Sequence, residues 1–253
     1  MAKLIWDKVG ERIYETGDKN IALYPYQDEA GTLTVGNKTY TTHYTQGVAW
    51  NGITAMTESP SGAEANDLWA DDTKYATMRS AEQFGGTIEA YTYPDEWEQC
   101  DGSATVNGVT IGQQSRKAFG LAYVTTVGND VKLNDYGEKI HLIYGATASP
   151  SERSYATIND SPDAITFSWE YETTPVEVGT INGVAYKKVS CLTLDENKIV
   201  TGDTAEAIAA RRVLWNSFKD IIFGKDNTAA VGETSNEIAP TLLMPPDVIA
   251  FFQ

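Results

Sequence analysis

The chain has 253 residues, enough to bury a full core without a metal or disulfide staple. Its 35 Asp and Glu outnumber 19 Lys and Arg, giving a formal net charge of −16. That balance excludes nucleic-acid binding by phosphate neutralisation, which needs clustered cations, and disfavours docking on an anionic membrane. The opening stretch "MAKLIWDKVGERIYETG" lacks the apolar run of a secretory leader, and no window approaches the length of a membrane-spanning helix. Cys100 and Cys191 carry no CxxC spacing and read as free thiols of a protein made in a reducing cytoplasm.

Aromatic, Thr and Val content leans the chain toward strands, and hairpin signals recur along it. Gly36-Asn37, Asn107-Gly108 and Asn182-Gly183 each sit between β-rich runs, where a type I′ turn needs φ > 0. Residues 20–66, rich in Gly, Thr and Asn, read as a loop or arm region. "SAEQFGG" and "PDEWEQC" each suggest a short helical turn. "GGTIEAYTYP" reads as a strand running to Pro94. In "KAFGLAYVTTVG", Phe119, Leu121 and Tyr123 share a side opposite small residues, and "EKIHLIYGA" groups Ile140, Leu142 and Tyr144. "ITFSWEYE" alternates: Ile165, Phe167, Trp169 and Tyr171 on one face, Thr166, Ser168, Glu170 and Glu172 on the other. These four runs can build one antiparallel sheet.

One stretch reads firmly as a helix, about 204–223. Asp203 and Glu206 have capping-box spacing, and Leu214, Trp215, Phe218, Ile221 and Ile222 form an apolar stripe closed by Gly224. The tail, about 225–253, starts polar and ends apolar, and Pro240, Pro245 and Pro246 oppose a helix through most of it. Leu242, Leu243, Met244, Val248, Ile249, Phe251 and Phe252 need cover, on this subunit or on a neighbour.

Signals for catalysis are sparse. The chain has two histidines, His43 and His141, and no GxSxG, HExxH, P-loop, zinc spacing or EF-hand loop, so no cofactor is implied. From Gly47 to Asp72 the acids Glu58, Glu64, Asp67, Asp71 and Asp72 accumulate without an evident acid pair. If Asp71 and Asp72 are neighbours in a strand, they point to opposite faces. "SPSGAE", from Ser59 to Glu64, has Pro and Gly where a tight turn wants them, beside acids that repel phosphate.

Six blocks carry a resemblance: "GVAWNGITAMTESPSGAE", "LWADDTKYATM", "SAEQFGGTIEAYTYPDEW", "CDGSA", "IGQQSRKAFGLAYVTTVGND" and "LLMPPDVIAFF". In that order they resemble the major tail protein, or tail tube subunit, of long-tailed phages (siphoviruses) of Gram-positive bacteria. The resemblance covers most of the chain from about residue 10. It implies a mainly-β single domain over 1–253: a β-sandwich of antiparallel sheets flanked by one main α-helix, with long loops and a C-terminal arm. Because the chain stops after "MPPDVIAFF", no additional immunoglobulin-like domain is expected.

The resemblance also implies a structural, non-enzymatic role in the virion tail. Six copies close into a ring and rings stack into a tube, with a tape-measure protein in the lumen and tail terminator and distal tail or tip proteins at the ends. Phage DNA passes through without specific binding. Such a ring carries a formal net charge of about −96. Glu89, Glu170 and Glu172 are candidates for the lumen lining, with outer solvent as the alternative. Ser59, Pro60, Ser61, Gly62, Glu64 and Asp67 are candidates for an inter-subunit loop. Leu242, Leu243, Met244, Ile249, Phe251 and Phe252 are candidates for an inter-ring arm. A carbohydrate-binding β-sandwich module is the alternative function, and an acidic glycosidase acting on cell wall is a weaker third.

Overall fold

The fold is described from a computed structural model, for residues 4–151, 153, 155, 157, 164–181, 183–228 and 235–253. It is mainly β, with 46% of the described residues in strands and 16% in helices, and among them all paired strands are antiparallel. In chain order the first half holds β1 (Ile13–Pro25), β2 (Gly31–Val35), β3 (Lys38–Thr42), β4 (Val48–Ala49), β5 (Ile53–Glu58), β6 (Ser61–Gly62), β7 (Ala65–Ala70), β8 (Thr73–Arg79), β9 (Glu82–Gln83) and β10 (Gly85–Ala90). A 3₁₀ turn (Asp95–Trp97) and α1 (Glu98–Asp101) follow, then β11 (Ala104–Val106), β12 (Val109–Ile111), β13 (Phe119–Asn129), β14 (Leu133–Ala148) and β15 (Phe167–Thr173). The chain continues through β16 (Thr180–Ile181), β17 (Val184–Ala185), β18 (Cys191–Asp195), α2 (Glu196–Ile199), α3 (Ala205–Phe223) and α4 (Pro245–Phe251).

One eight-stranded sheet organises the molecule, in the order β4-β1-β13-β14-β15-β10-β5, with β18 also on β14. The four runs expected to share a sheet, β10, β13, β14 and β15, all lie in it. The sheet curls, bringing β5 back beside β1, and makes a sandwich-like body with a core on each face. Alternation along β13 divides the two cores. Phe119, Leu121 and Tyr123 join Trp50, Trp97 and Trp169 on one face; Ala122 and Val124 join Tyr144 and α3 on the other. The small residues of β13 therefore do not face water: they make room. A Cβ on Gly120 would come within 2.5 Å of Leu242 Cδ2. On the first face Trp50, Trp97 and Trp169 interlock at ring-centroid distances of 4.6–5.6 Å, tilted or edge-on, geometries worth about 0.5–1.5 kcal/mol per pair beyond area burial.

Helix α3 lies where its pattern predicts, with one correction at its start. The cap is Thr204, whose hydroxyl accepts from the Ala207 N–H (3.2 Å), rather than Asp203. Trp215, Phe218, Ile221 and Ile222 are buried, whereas Leu214 lies at the rim of the stripe, 36% exposed. Gly224 ends the helix at φ 84°, a backbone state that favours glycine.

The C-terminal segment corrects the arm expectation most sharply. Leu242 and Leu243 are fully buried in this subunit's own core, so they are not an inter-ring arm. Leu242 N–H donates to Tyr44 C=O (2.9 Å), Thr42 Oγ1 donates to Leu242 C=O (2.8 Å), and Tyr144 Oη donates to Leu243 C=O (2.8 Å). Phe251 and Phe252 pack on Phe218, at 5.5 and 5.1 Å between ring centroids. Pro245 and Pro246 begin α4 instead of preventing it, because the first helical positions need no N–H partner.

Three local expectations change too. Residues 20–66 are not an arm throughout: Ile21, Leu23, Tyr24, Tyr40, Tyr44 and Trp50 are buried. "SAEQFGG" forms strand, not helix, while "PDEWEQC" does form the 3₁₀ turn and α1. The strand in "GGTIEAYTYP" ends at Ala90. Asn107 and Gly108 both take positive φ (52° and 78°), as a type I′ turn requires. At Gly36-Asn37 only Gly36 does (60°), which fits type II′. Asn182, of the third expected turn, lies outside the described residues.

Candidate functional site

Three surface features bear on function, and each follows from strand register. The first is an acidic face. In the β10–β15 ladder Glu170 stands opposite Thr87, Glu89 opposite Ser168, and Glu172 opposite Gly85. Ile88, Trp169 and Tyr171 take the alternate positions and enter the core. Period 2 thus forces Glu89, Glu170 and Glu172 onto one exposed face. Ser59, Gln83, Thr87, Glu170 and Glu172 border a shallow polar recess of about 310 Å³ there.

The second feature is a ribbon spanning Ser59 to Gln83. Ser61–Gly62 pairs with Glu82–Gln83 at its base, and Ala65–Ala70 pairs with Thr73–Arg79 beyond. Gly62 turns the base at φ 81°, and a Cβ there would meet Ala81 O at 2.4 Å. Asp71 and Asp72 are not strand neighbours but the two turn residues, at φ 50° and 59°. Asp67 pairs with Lys74 (2.7 Å) and accepts from Thr77 (2.8 Å); these partners hold its carboxyl below the usual range. Its charge thus helps shape the ribbon. Ser59, Pro60, Ser61, Gly62, Glu64 and Asp67 are brought together on this one element, all outside the core. Both ribbon strands are exposed along almost their whole length, with Trp69 69% and Tyr75 77% accessible.

The third is an apolar end. The Trp50 N–H donates to Ile21 C=O (2.9 Å), and further along β5 Glu58 lies near His141, which also contacts Glu15. β5 therefore runs beside β1 toward the start of β1, and the ribbon leaves the body at that end. The same end holds the residues that precede β1, tied by Asn129 Nδ2 donating to Gly10 C=O (3.0 Å). Leu4, Ile5, Trp6 and Val9 there are each at least 66% exposed, and Val131 and Leu133 of the β13–β14 turn are nearly as open. Composition does not reveal this end, because exposure depends on which strand ends meet. Its local signal is the apolar content of "LIWDKV".

Groups with chemical potential lie elsewhere. His43 stacks on Tyr26 (4.7 Å, 8° between planes), with Nδ1 2.7 Å from Gln27 O. His141 stacks on Tyr123 (4.6 Å, 3°), and burial holds it neutral-leaning, below the ordinary imidazole value, against the pull of Glu58 and Glu15. Thr125 Oγ1 is 3.0 Å from His141 Nε2, but its proton goes to Glu15 (2.5 Å). Cys100 and Cys191 are free thiols; burial pushes the Cys100 thiol up to about 12, with Lys117 acting weakly against it. Among the described residues, no group of three or more His, Cys, Asp or Glu is placed to hold a metal ion, and no helix is long and apolar enough to cross a membrane. Compared with known proteins, the chain matches no family model and no curated protein.

Proposed function

We propose that this chain is a structural subunit that assembles with copies of itself into the tail tube of a long-tailed phage. The ribbon from Ser59 to Gln83 carries the reading. A two-stranded hairpin is at best marginally stable alone in water, yet this one stands off the body with Leu68, Trp69, Tyr75 and Met78 uncovered. Each large apolar side chain left in water forgoes about 1.5–3 kcal/mol, so a partner surface is the economical cover. The exposed residues at the same end of the body extend the patch, and clustered apolar exposure of this kind marks protein–protein contact.

The acidic face suits the lumen of such a tube. Glu89, Glu170 and Glu172 project from one rigid ladder. Repeated around a ring they present DNA with like charge, so it slides without adhering. The body meets its neighbours in rings, the ribbon and apolar end reach the next ring, and the tape-measure, terminator and tip proteins are the remaining partners in the virion. Met244, Ile249, Phe251 and Phe252 serve the subunit's own packing in this scheme.

Negative-stain electron microscopy of concentrated protein tests the proposal. Rings or tubes are expected from the wild type. Trp69→Ser with Tyr75→Ser is expected to abolish them while leaving the thermal transition of dilute protein in place, since neither side chain touches the core. A protein that stays monomeric when concentrated and with tip proteins added, or that binds glycan beads through those aromatics, refutes it; the second outcome favours a carbohydrate-binding module.

A further inference from the structure

Between β1 and β5 lies a slot of about 440 Å³, lined by Glu15, Asp18, Met56, Glu58, Thr125 and His141. Both flanking strands have an unshared edge there. Among the described residues, β1 pairs with β4 only at Ala22 and Leu23, and β5 pairs only with β10. Side chains, not a backbone ladder, therefore span this part of the sheet. His141, on β14, forms its floor, with its side chain 13% exposed. Its Nε2 faces Glu15 Oε1 of β1 at 3.3 Å, and its Nδ1 faces Glu58 Oε1 of β5 at 3.9 Å.

The hydrogen-bond directions fix the imidazole's present state. Thr125 Oγ1 donates to Glu15, so it accepts from His141 Nε2–H (3.0 Å). Nδ1 then carries the lone pair and faces a carboxylate, with the Thr193 hydroxyl 3.5 Å away. Tyr123, on β13, donates to Glu58 (2.5 Å). A proton on Nδ1 would turn this unfavourable pairing into a charge-assisted bond and place one cation between two carboxylates.

We propose that His141 is a proton-operated tie: on taking up a proton it draws Glu15 and Glu58 together and closes the slot between β1 and β5. The charges around the slot are mostly negative, with Lys139 opposing them. Glu15 and Asp18 from β1 and Glu58 from β5 face the slot, and Lys139 of β14, ion-paired with Glu15, is the cation beside them. Tyr171 of β15 and Cys191 of β18 lie near enough to sense Glu58 and add no positive charge. The Asp18 Oδ2 atom is buried without a hydrogen-bond partner among the described residues, so negative charge in the slot is under-compensated. Burial and Lys139 work against the imidazolium while Glu58 and Glu15 favour it, so drawing the carboxylates closer stabilises the protonated ring and couples proton uptake to closure.

Imidazole ¹⁵N shifts, followed with pH alongside amide exchange of Ile53–Glu58, test the tie in the intact chain, with His43 as the internal comparison. Wild type is expected to show His141 as the Nε2–H tautomer at neutral pH. As the ring takes its proton, exchange over Ile53–Glu58, corrected for its intrinsic pH dependence, is expected to slow about tenfold, the scale of one charge-assisted bond. Glu58→Gln is expected to move the His141 midpoint downward and abolish the slowing, and His141→Gln to abolish the slowing with the fold intact. Exchange that stays constant or quickens as His141 protonates, or slows equally in His141→Gln, overturns the proposal. So does a midpoint unmoved by Glu58→Gln.

Discussion

Leu242 decides between two views of the C-terminal segment: an arm that reaches another subunit, or a part of this subunit's core. It is fully buried in the single chain, and its Cδ2 fills the space over Gly120. Leu242→Ala removes buried methyl groups from a site pinned on both sides. The Leu242 N–H is held on the Tyr44 carbonyl and its C=O by the Thr42 hydroxyl, so the segment cannot collapse into the void. The expected loss is about 3–4 kcal/mol, within the ~2–5 kcal/mol typical of buried Leu→Ala changes and toward the poorly relaxing end. Urea unfolding of dilute protein measures it as a lower midpoint at constant m. A companion change sharpens the test. Gly120→Ala alone puts a Cβ 2.5 Å from Leu242 Cδ2 and 3.0 Å from Ile143 O and is expected to destabilise. In the double variant the methyl group added at position 120 occupies part of the vacated space. The combined loss is therefore expected to fall short of the sum of the two single losses by about 1 kcal/mol or more. A Leu242→Ala loss below about 0.5 kcal/mol, or strict additivity, would refute the packing argument.

Three further outcomes follow from particular groups. Thr204→Ala removes the α3 cap and is expected to cost about 1 kcal/mol in the same unfolding assay, whereas Asp203→Ala is expected to cost clearly less. Burial acts to raise Glu138, but Lys219, Trp215 and Lys19 outweigh it and hold its folded value below the ordinary 4.5. Its contribution to stability is therefore complete above pH 4.5 and lost as the pH falls through the lowered folded value, and Glu138→Gln is expected to flatten that part of a stability-against-pH curve. A thiol reagent at about pH 8 is expected to modify Cys100 only as fast as the protein unfolds, because its thiol is in the core and its ionisation is displaced to about 12; mass spectrometry of timed digests reads the rate.

The fold is more legible in the sequence than the surface is. Period-2 alternation in "ITFSWEYE" puts Trp169 and Tyr171 inside and Glu170 and Glu172 outside, because a strand's faces are fixed by residue count alone. The stripe of α3 is equally readable. What no local pattern tells is which long-range surface covers an apolar segment. Leu242 and Leu243 look the same in sequence whether their cover is Tyr44 of this chain or a neighbour. Residues 20–66 mislead in a related way: Gly and Thr in "GTLTVGNKTYTT" suggest a loose arm, but Tyr40 and Thr42 alternate inward from β3, and Tyr40 joins the helix-side core. Asp71 and Asp72 resist because two successive non-glycine residues seldom share positive φ, although Asp is among the side chains that tolerate it best. The Glu15–His141–Glu58 arrangement draws on three distant strands, which no local pattern connects.

At the foot of the ribbon the Ser59 N–H donates to Gly85 C=O (2.8 Å), and Glu58 stands opposite Gly86 in the ladder. The two ends of the excursion are thus already stitched together before it departs. The stretch from Pro60 to Gln83 can be shortened, lengthened or exchanged for another hairpin without unpicking a rung of the main sheet, whereas Phe84, whose C=O accepts from the Thr173 N–H (3.0 Å), belongs to the body. If the ribbon is the contact surface proposed above, recognition and architecture are written in separable parts of the gene, and the chain's neighbours can be changed by rewriting one short cassette.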